Sequence, residues 1–326
     1  MTKVSVLVAV YNAEEYLCKC IDSLLCQTLQ DIQIICIDDA STDSSLSILR
    51  AYERKDSRVV VISLSENRGQ AVARNEGLKV AEGEYTCFLD SDDWLSQDAL
   101  QQAVDVFEKY PLTDSVLFQV QMVTSRGNHL YQMPSFSVMT GHEAFEASLT
   151  WKIHGVYMVR TSLHQQIPYD TTCRSYSDDN TTRLHYLKSR EVRLCDGIYY
   201  YRQHATSTTH QISIRRFDYL RAGESMKKQM EELAVSERLL NIYENARWLV
   251  LIDTYMFYYK YRRQLGREGA SYGLKEMKRI WSQIDIKRLV CRNRYKFGYM
   301  PLRFSWSLFR LQEEVYFSLR CLLKSL

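Results

Sequence analysis

The stretch FLDSDDWL, residues 88–95, sets three carboxylates within four positions directly behind an apolar run. Two carboxylates about 5–6 Å apart repel by roughly 3 kcal/mol at an effective dielectric near 20. A partner must therefore compensate for Asp90, Asp92 and Asp93. The run before them, residues 85–89, reads as a buried strand, so the acids sit where that strand ends.

The same pattern occurs upstream. Residues 4–10, VSVLVAV, form a continuous apolar run rich in valine, as expected of a strand covered on both faces. Residues 32–37 and 59–64 read likewise, and helical spacing fills the intervals. Asn12 and Glu15 predict a capping box for the first helix. The helix expected over 71–81 stops before Gly83. Strands alternating with helices of about ten residues imply a parallel, doubly wound α/β sheet. Such sheets bind ligands beyond the carboxyl ends of their strands. Tyr11-Asn12, Asp38-Asp39 and Asp90 to Asp93 all fall there, so the fold would gather them on one rim.

Beyond residue 96 the pattern is mixed. Helices are expected over 97–109, 141–149 and 178–187, and strands over 115–123, 155–159, 192–194 and 198–202. From about 212 the periodicity is helical to the end.

Asp90 and Asp92 lie two apart, and extended backbone points both side chains the same way. Their oxygens suit one hard divalent cation, Mn²⁺ or Mg²⁺, which takes its remaining ligands from water and substrate phosphate. The alternative is that Asp92 or Asp93 caps a following helix, and Asp93 is expected to do so.

The stretches VSVLVAVYNAEEYL, IDSLLCQTLQDIQIICIDDASTD and ENRGQAVARNEGLKVAEGEYTCFLDSDDWL resemble the nucleotide-binding half of the family 2 glycosyltransferases, with weaker similarity to about residue 210. The resemblance implies a GT-A fold: a mixed, mainly parallel, Rossmann-like sheet with a helical C-terminal region. It implies a catalytic domain over 1–210, divided into a nucleotide-binding half (1–95) and an acceptor half (96–210), followed by 211–326. It also implies a metal-dependent inverting transfer from a nucleotide-diphospho-sugar, expected to be a UDP-sugar, to a surface glycan, a lipid-linked one included. On this pattern Asp90 and Asp92 hold metal and diphosphate, Asp39 accepts from the base and Tyr11 packs beside it. Arg74 steadies base or diphosphate, with an ion pair to Glu76 or Glu82 as the alternative. Arg202 and His204 approach diphosphate or metal. The family's Glu-Asp base pair corresponds to Asp178-Asp179, with Asp179 as base and Asp178 as runner-up. Ala9, Gln33 and Ala40 stand where the family often has Pro, Glu and Gly. A non-catalytic nucleotide-sugar-binding subunit is the second reading. A nucleotidyltransferase is disfavoured, because no glycine-rich basic phosphate loop opens the chain.

The chain has 326 residues, 46% hydrophobic and 25% charged, a globular composition. Its strongest apolar stretch, residues 248–259, is too short to span a bilayer and contains Asp253. The start shows no signal-peptide pattern, and nine scattered cysteines suit a reducing compartment, so a cytoplasmic location is expected. Residues 211–326 hold 23 Lys and Arg against 12 Asp and Glu; with the chain total of +3, the first 210 residues carry −8. The basic tail has no nucleic-acid motif, so no nucleic-acid partner is expected. Leu308, Leu311, Val315, Leu319, Leu322 and Leu326 form a helical stripe, expected to pack on neighbouring helices. The sharper expectation is peripheral contact with the inner face of the plasma membrane, through Trp306, Phe309, Phe317 and the basic run 287–303.

Overall fold

The computed structural model describes residues 2–125, 127–204 and 211–324. The chain divides into two compact units, residues 1–207 and 208–326. In the first unit, β1 (Val4–Val10), β2 (Ile32–Asp38), β3 (Val59–Ser63) and β4 (Tyr85–Phe88) alternate with α1 (Leu17–Leu25), α2 (Ser45–Lys55) and α3 (Gln70–Leu78). Then come β5 (Trp94–Leu95), α4 (Ala99–Lys109), β6 (Thr113–Thr124), β7 (Gly127–Leu130) and β8 (Met139–Thr140). The unit continues with α5 (Gly141–Ser148), β9 (Tyr157–Arg160), α6 (Thr161–Gln166), α7 (Asp178–Lys188) and β10 (Glu191–Arg202).

One mixed sheet runs β3-β2-β1-β4-β9-β6-β10-β5, with β7 on β6 and β8 on β10. The first four strands are parallel, and β9 is antiparallel to both its neighbours. The period of two along β1 explains its burial on both faces. Val4, Val6, Val8 and Val10 share a core with Leu17, Ile21 and Leu100, while Leu7 joins Ile35, Ile37 and the α3 residues Ala71, Ala73 and Leu78. Helix α3 lies so close to β2 that a Cβ on Gly77 would stand 2.6 Å from Ile37 Cδ1.

Three local expectations are corrected. Asn12 does not cap α1, whose N-cap is Tyr16. Asn12 instead takes φ 50°, and its Oδ1 accepts from the Thr42 amide at 2.8 Å, tying the β1 rim to the β2 rim. Asp93 starts no helix: it precedes β5, and Asp98 is the N-cap of α4. The pieces expected at 192–194 and 198–202 are one strand, β10, with a register shift between Leu194 and Ile198. The short β5, β7, β8 and α6 were not anticipated, being too brief to show a period.

The second unit is helical: α8 (Asp218–Glu232), α9 (Glu237–Tyr261), α10 (Gly266–Gln283), α11 (Cys291–Tyr295) and α12 (Trp306–Lys324). Its core joins Phe217, Trp248, Tyr255, Trp281, Phe309 and Phe317. Phe309 and Phe317 of α12 are buried and pack against Tyr255 and Trp248, so these two rings belong to the core. The stripe expected to pack inward is turned out, with Leu308, Leu311, Val315, Leu319 and Leu322 all exposed. Phe309, Glu313 and Phe317 repeat every four residues and are all buried, so the face carrying the two phenylalanines claimed the core and left the adjacent aliphatic stripe outside. Leu326 lies outside the described residues.

Candidate active site

The parallel strands deliver the rim as their order requires. The Asp39 amide donates to Val10 O at 2.8 Å, drawing Asp39 beside Tyr11, which is 45% exposed. Asp39 itself is buried, and its two oxygens accept from the amides of Arg68 and Gly69 at 2.8 and 2.7 Å. Gly69 has φ 92°, a conformation that favours glycine, and begins α3. Asp39 therefore shapes the loop leading to Arg74 as well as facing the rim. Ala40, where the family often has glycine, holds φ 58°, a strained left-handed turn for alanine. Asp38 and Asp43 serve as turn and cap residues, accepting from the amides of Ser41 and Ser45 respectively.

Two arrangements hold the acidic loop. On one side, Tyr199 is fully buried; its hydroxyl accepts from the Asp90 amide at 3.1 Å and donates to Asp93 Oδ2 at 2.8 Å. The other Asp93 oxygen accepts from the Arg202 amide at 2.7 Å, so Asp93 ties the loop to β10. Burial pushes its carboxyl well above the usual range, reinforced by Asp90 and Asp92. The Arg202 Nε donates to Asp92 O at 2.8 Å, and its guanidinium lies between the rings of Tyr16 and Trp94. His204 Nε2 is 2.8 Å from Asp92 Oδ2, and its ring packs 4.6 Å from that of Tyr16. The adjoining Ser207, Thr208 and Thr209 lie outside the described residues.

On the other side is Arg74, 1% exposed, whose ion pairs among the described residues are with Asp90 and Asp178 and not with the alternatives Glu76 or Glu82. Its Nη2 donates to Asp90 at 2.5 Å and its Nη1 to Asp178 at 3.0 Å, beneath the rings of Phe88 and Tyr169. Arg74 is thus the counter-charge demanded by the acidic loop, and it links that loop to α7. Burial still pushes the Asp90 carboxyl up to about 6; Arg74 pulls it down, while Asp92 and Asp178 add to the rise.

The two acids opening α7 differ. Asp178 also accepts from Gln70 Nε2 at 2.6 Å, so it is engaged from two sides. Asp179 has no such clamp among the described residues. Burial, with the neighbouring Asp178 charge, pushes its carboxyl up to about 7, against the pull of Arg183 and Arg74. A carboxylate poised there can take a proton near neutral pH.

Among the described residues, no three His, Cys, Asp or Glu side chains converge as a metal-holding group. The Asp90 and Asp92 carboxylates, two positions apart on one loop, nevertheless fit a Mg²⁺-type cation, which needs few protein ligands. Burial, with the Asp92 and Asp178 charges, raises Asp90, and a cation held there would oppose that rise. Sequence reasoning missed the Tyr199–Asp93–Arg202 tie, the aromatic bracket of Tyr16 and Trp94, and Gln70. No local spacing signals these residues, because they meet only through the sheet.

A mixed sheet with carboxylates at its parallel-strand ends and paired acids opening a second-half helix defines an α/β architecture with an acidic rim. The description Glycosyl transferase family 2 matches residues 5–173, and the chain belongs to that family. A poly(ribitol-phosphate) beta-glucosyltransferase of Bacillus spizizenii is 33% identical over 207 residues, 61% of this chain and 32% of that protein. The chain thus matches about a third of that relative's length. The glycosyltransferase EpsJ of Bacillus subtilis is 32% identical over 63% of this chain and 62% of its own length. Among solved structures, Staphylococcus aureus TarS 1–349 in complex with UDP-GlcNAc superposes with a TM-score of 0.75 at 21% identity, covering 96% of this chain and 91% of that one. The likeness establishes a shared GT-A-type fold.

Proposed function

We propose that this chain is an inverting glycosyltransferase that moves a sugar from a UDP-sugar to a glycan acceptor in surface-polysaccharide synthesis, such as capsule, exopolysaccharide or O-antigen. The observation that carries the reading is the Arg74 bridge, which sets a rim carboxylate pair and a neutral-range carboxyl at two sides of one charge network. Relatives named for sugar transfer to poly(ribitol-phosphate), and the TarS complex with UDP-GlcNAc, support the donor and acceptor classes.

In this reading Tyr11 and Asp39 receive the base at the β1 and β2 rim. Asp90 and Asp92 would hold Mn²⁺ or Mg²⁺, with His204 at its edge through Asp92. Such a cation, when bound, offsets the charge of the departing diphosphate. Arg202 stiffens the loop from β10. Asp179 takes the proton of the acceptor hydroxyl as that oxygen attacks the anomeric carbon from the face opposite the diphosphate. Burial and the Asp178 charge keep Asp179 partly protonated near neutrality, against the pull of Arg183 and Arg74.

Thermal-shift titration with UDP-, GDP- and dTDP-sugars, with and without Mn²⁺, tests the reading. UDP-sugars should stabilise the protein in a Mn²⁺-dependent manner. Asp92→Ala should weaken metal-dependent UDP binding by about tenfold or more, a loss of roughly 1.4 kcal/mol. Undiminished metal-dependent binding in that variant would remove Asp92 from the site.

The location proposed is cytoplasmic, at the membrane's inner face. No helix among the described residues is long and apolar enough to cross a membrane. The support lies in the second unit. No acid occurs between Asp285 and Glu313, a span that contains seven Lys and Arg. Tyr295, Phe297 and Phe304 are exposed there, followed by the outward aliphatic stripe of α12. Sedimentation with anionic but not neutral liposomes at low salt is expected, and failure to sediment with either would refute it.

A further inference from the structure

A tryptophan sits where the backbone favours glycine. After α5 the amide of Trp151 donates to Ser148 O at 3.2 Å and that of Lys152 to Ala147 O at 3.0 Å. These paired bonds are those of a Schellman turn, with Trp151 at its left-handed position. Its φ is 55°, which is rare and costly for a bulky side chain.

The side chain gains little burial in return, since Trp151 remains 38% exposed. Its ring is held nonetheless. The Arg183 guanidinium carbon lies 4.7 Å from the indole centroid, and the Tyr131 hydroxyl donates to Trp151 O at 3.0 Å. Arg183 is itself buried and belongs to α7, one helical turn beyond Asp179. It is near enough for its charge to act on the Asp179 carboxyl. A partly open aromatic surface therefore packs on Arg183, which lies one helical turn along α7 from the candidate base, and its backbone conformation is a costly one.

We propose that Trp151 is the acceptor platform: its indole stacks against the C–H face of a pyranose ring whose hydroxyl is presented to Asp179. The inference rests on the glycosyltransferase reading and adds an acceptor-binding residue to it. A sugar presents polarised C–H groups on one ring face, and an electron-rich indole is the side chain best suited to meet them. Arg183 fixes the ring from beneath, so little side-chain freedom is lost on binding.

The test compares wild type with Trp151→Gly and Trp151→Phe, using methyl β-glucoside, methyl β-galactoside and methyl β-N-acetylglucosaminide as acceptor probes. Glycine relieves the left-handed strain, so the melting temperature of Trp151→Gly should equal or exceed that of wild type. Its KM for acceptor should rise about tenfold, while UDP-sugar affinity measured by calorimetry without acceptor stays within about twofold. Trp151→Phe should recover most of the acceptor affinity. Saturable quenching of tryptophan fluorescence by a methyl glycoside, lost in Trp151→Gly, reads the platform without any transfer. An unchanged acceptor KM and an unchanged titration in Trp151→Gly would overturn the proposal. So would a fall in melting temperature that Trp151→Phe restores without restoring acceptor affinity. Absence of UDP-sugar binding in the wild type would instead refute the donor reading, leaving the fluorescence result to decide the platform.

Discussion

Replacing Arg74 with methionine should destabilise the first unit by about 3 kcal/mol and abolish transfer. The guanidinium is 1% exposed and bonds both Asp90 and Asp178. Methionine fills similar volume, so little of the loss would come from a cavity. The cost arises because two carboxylates placed around one cation are left facing each other without it. Both retain some solvent contact, at 33% and 20% side-chain exposure, which keeps the expected figure at the lower end for a broken buried pair. Urea unfolding at neutral pH measures it. The double variant Arg74→Met, Asp178→Asn should recover part of the stability, because one orphaned charge is gone. A loss below about 1 kcal/mol would mean that the bridge is a solvent-screened pair, and Arg74 would lose its place as the link between the two halves of the site.

The second large effect concerns Asp179. Asp179→Asn should lower kcat by about a thousandfold, near 4 kcal/mol of transition-state stabilisation, while UDP-sugar affinity changes by less than about twofold. The pH dependence carries the assignment. A base works when deprotonated, so wild-type kcat should climb with pH and level off above about 7, where the Asp179 carboxyl is held. Removing the adjacent negative charge in Asp178→Asn takes away one cause of that elevation, so the rising limb should move to lower pH while activity survives. If Asp178→Asn were inactive and Asp179→Asn active, the roles would be exchanged. Kinetics of transfer and isothermal titration with UDP-sugar together distinguish the outcomes.

Much of the donor half was legible because its signals are local. β1 is read from VSVLVAV, the acids stand at strand ends, and a parallel sheet must bring those ends together. Asp38 and Asp43 are turn residues for equally local reasons. Arg74 was recognisable as important but not for its actual position. Its partners lie 16 and 104 residues away, and only the packing of α3 beneath Phe88 and Tyr169 buries it. Asp93 misled because an aspartate before an apolar pair looks like a helix cap; Tyr199, 106 residues later, claims it instead. The tail misled in the opposite sense. Two apolar stripes run along α12, and hydrophobicity alone favoured the leucines for the core, whereas the aromatic partners on α9 and α10 admit the other face.

The amino-acid sequence by itself determined the alternation of β1 to β4 with α1 to α3 and the rim on which Asp39, Asp90 and Asp92 gather. Periodicity and strand-end chemistry act over a few residues, so they survive in one dimension. The tertiary structure alone decided which charges neutralise one another and which aromatic rings face solvent. It also decided that a tryptophan holds a glycine's conformation against Arg183 of α7. Those outcomes depend on groups that approach within a few ångströms after the chain has crossed the sheet, and no spacing along the chain records them.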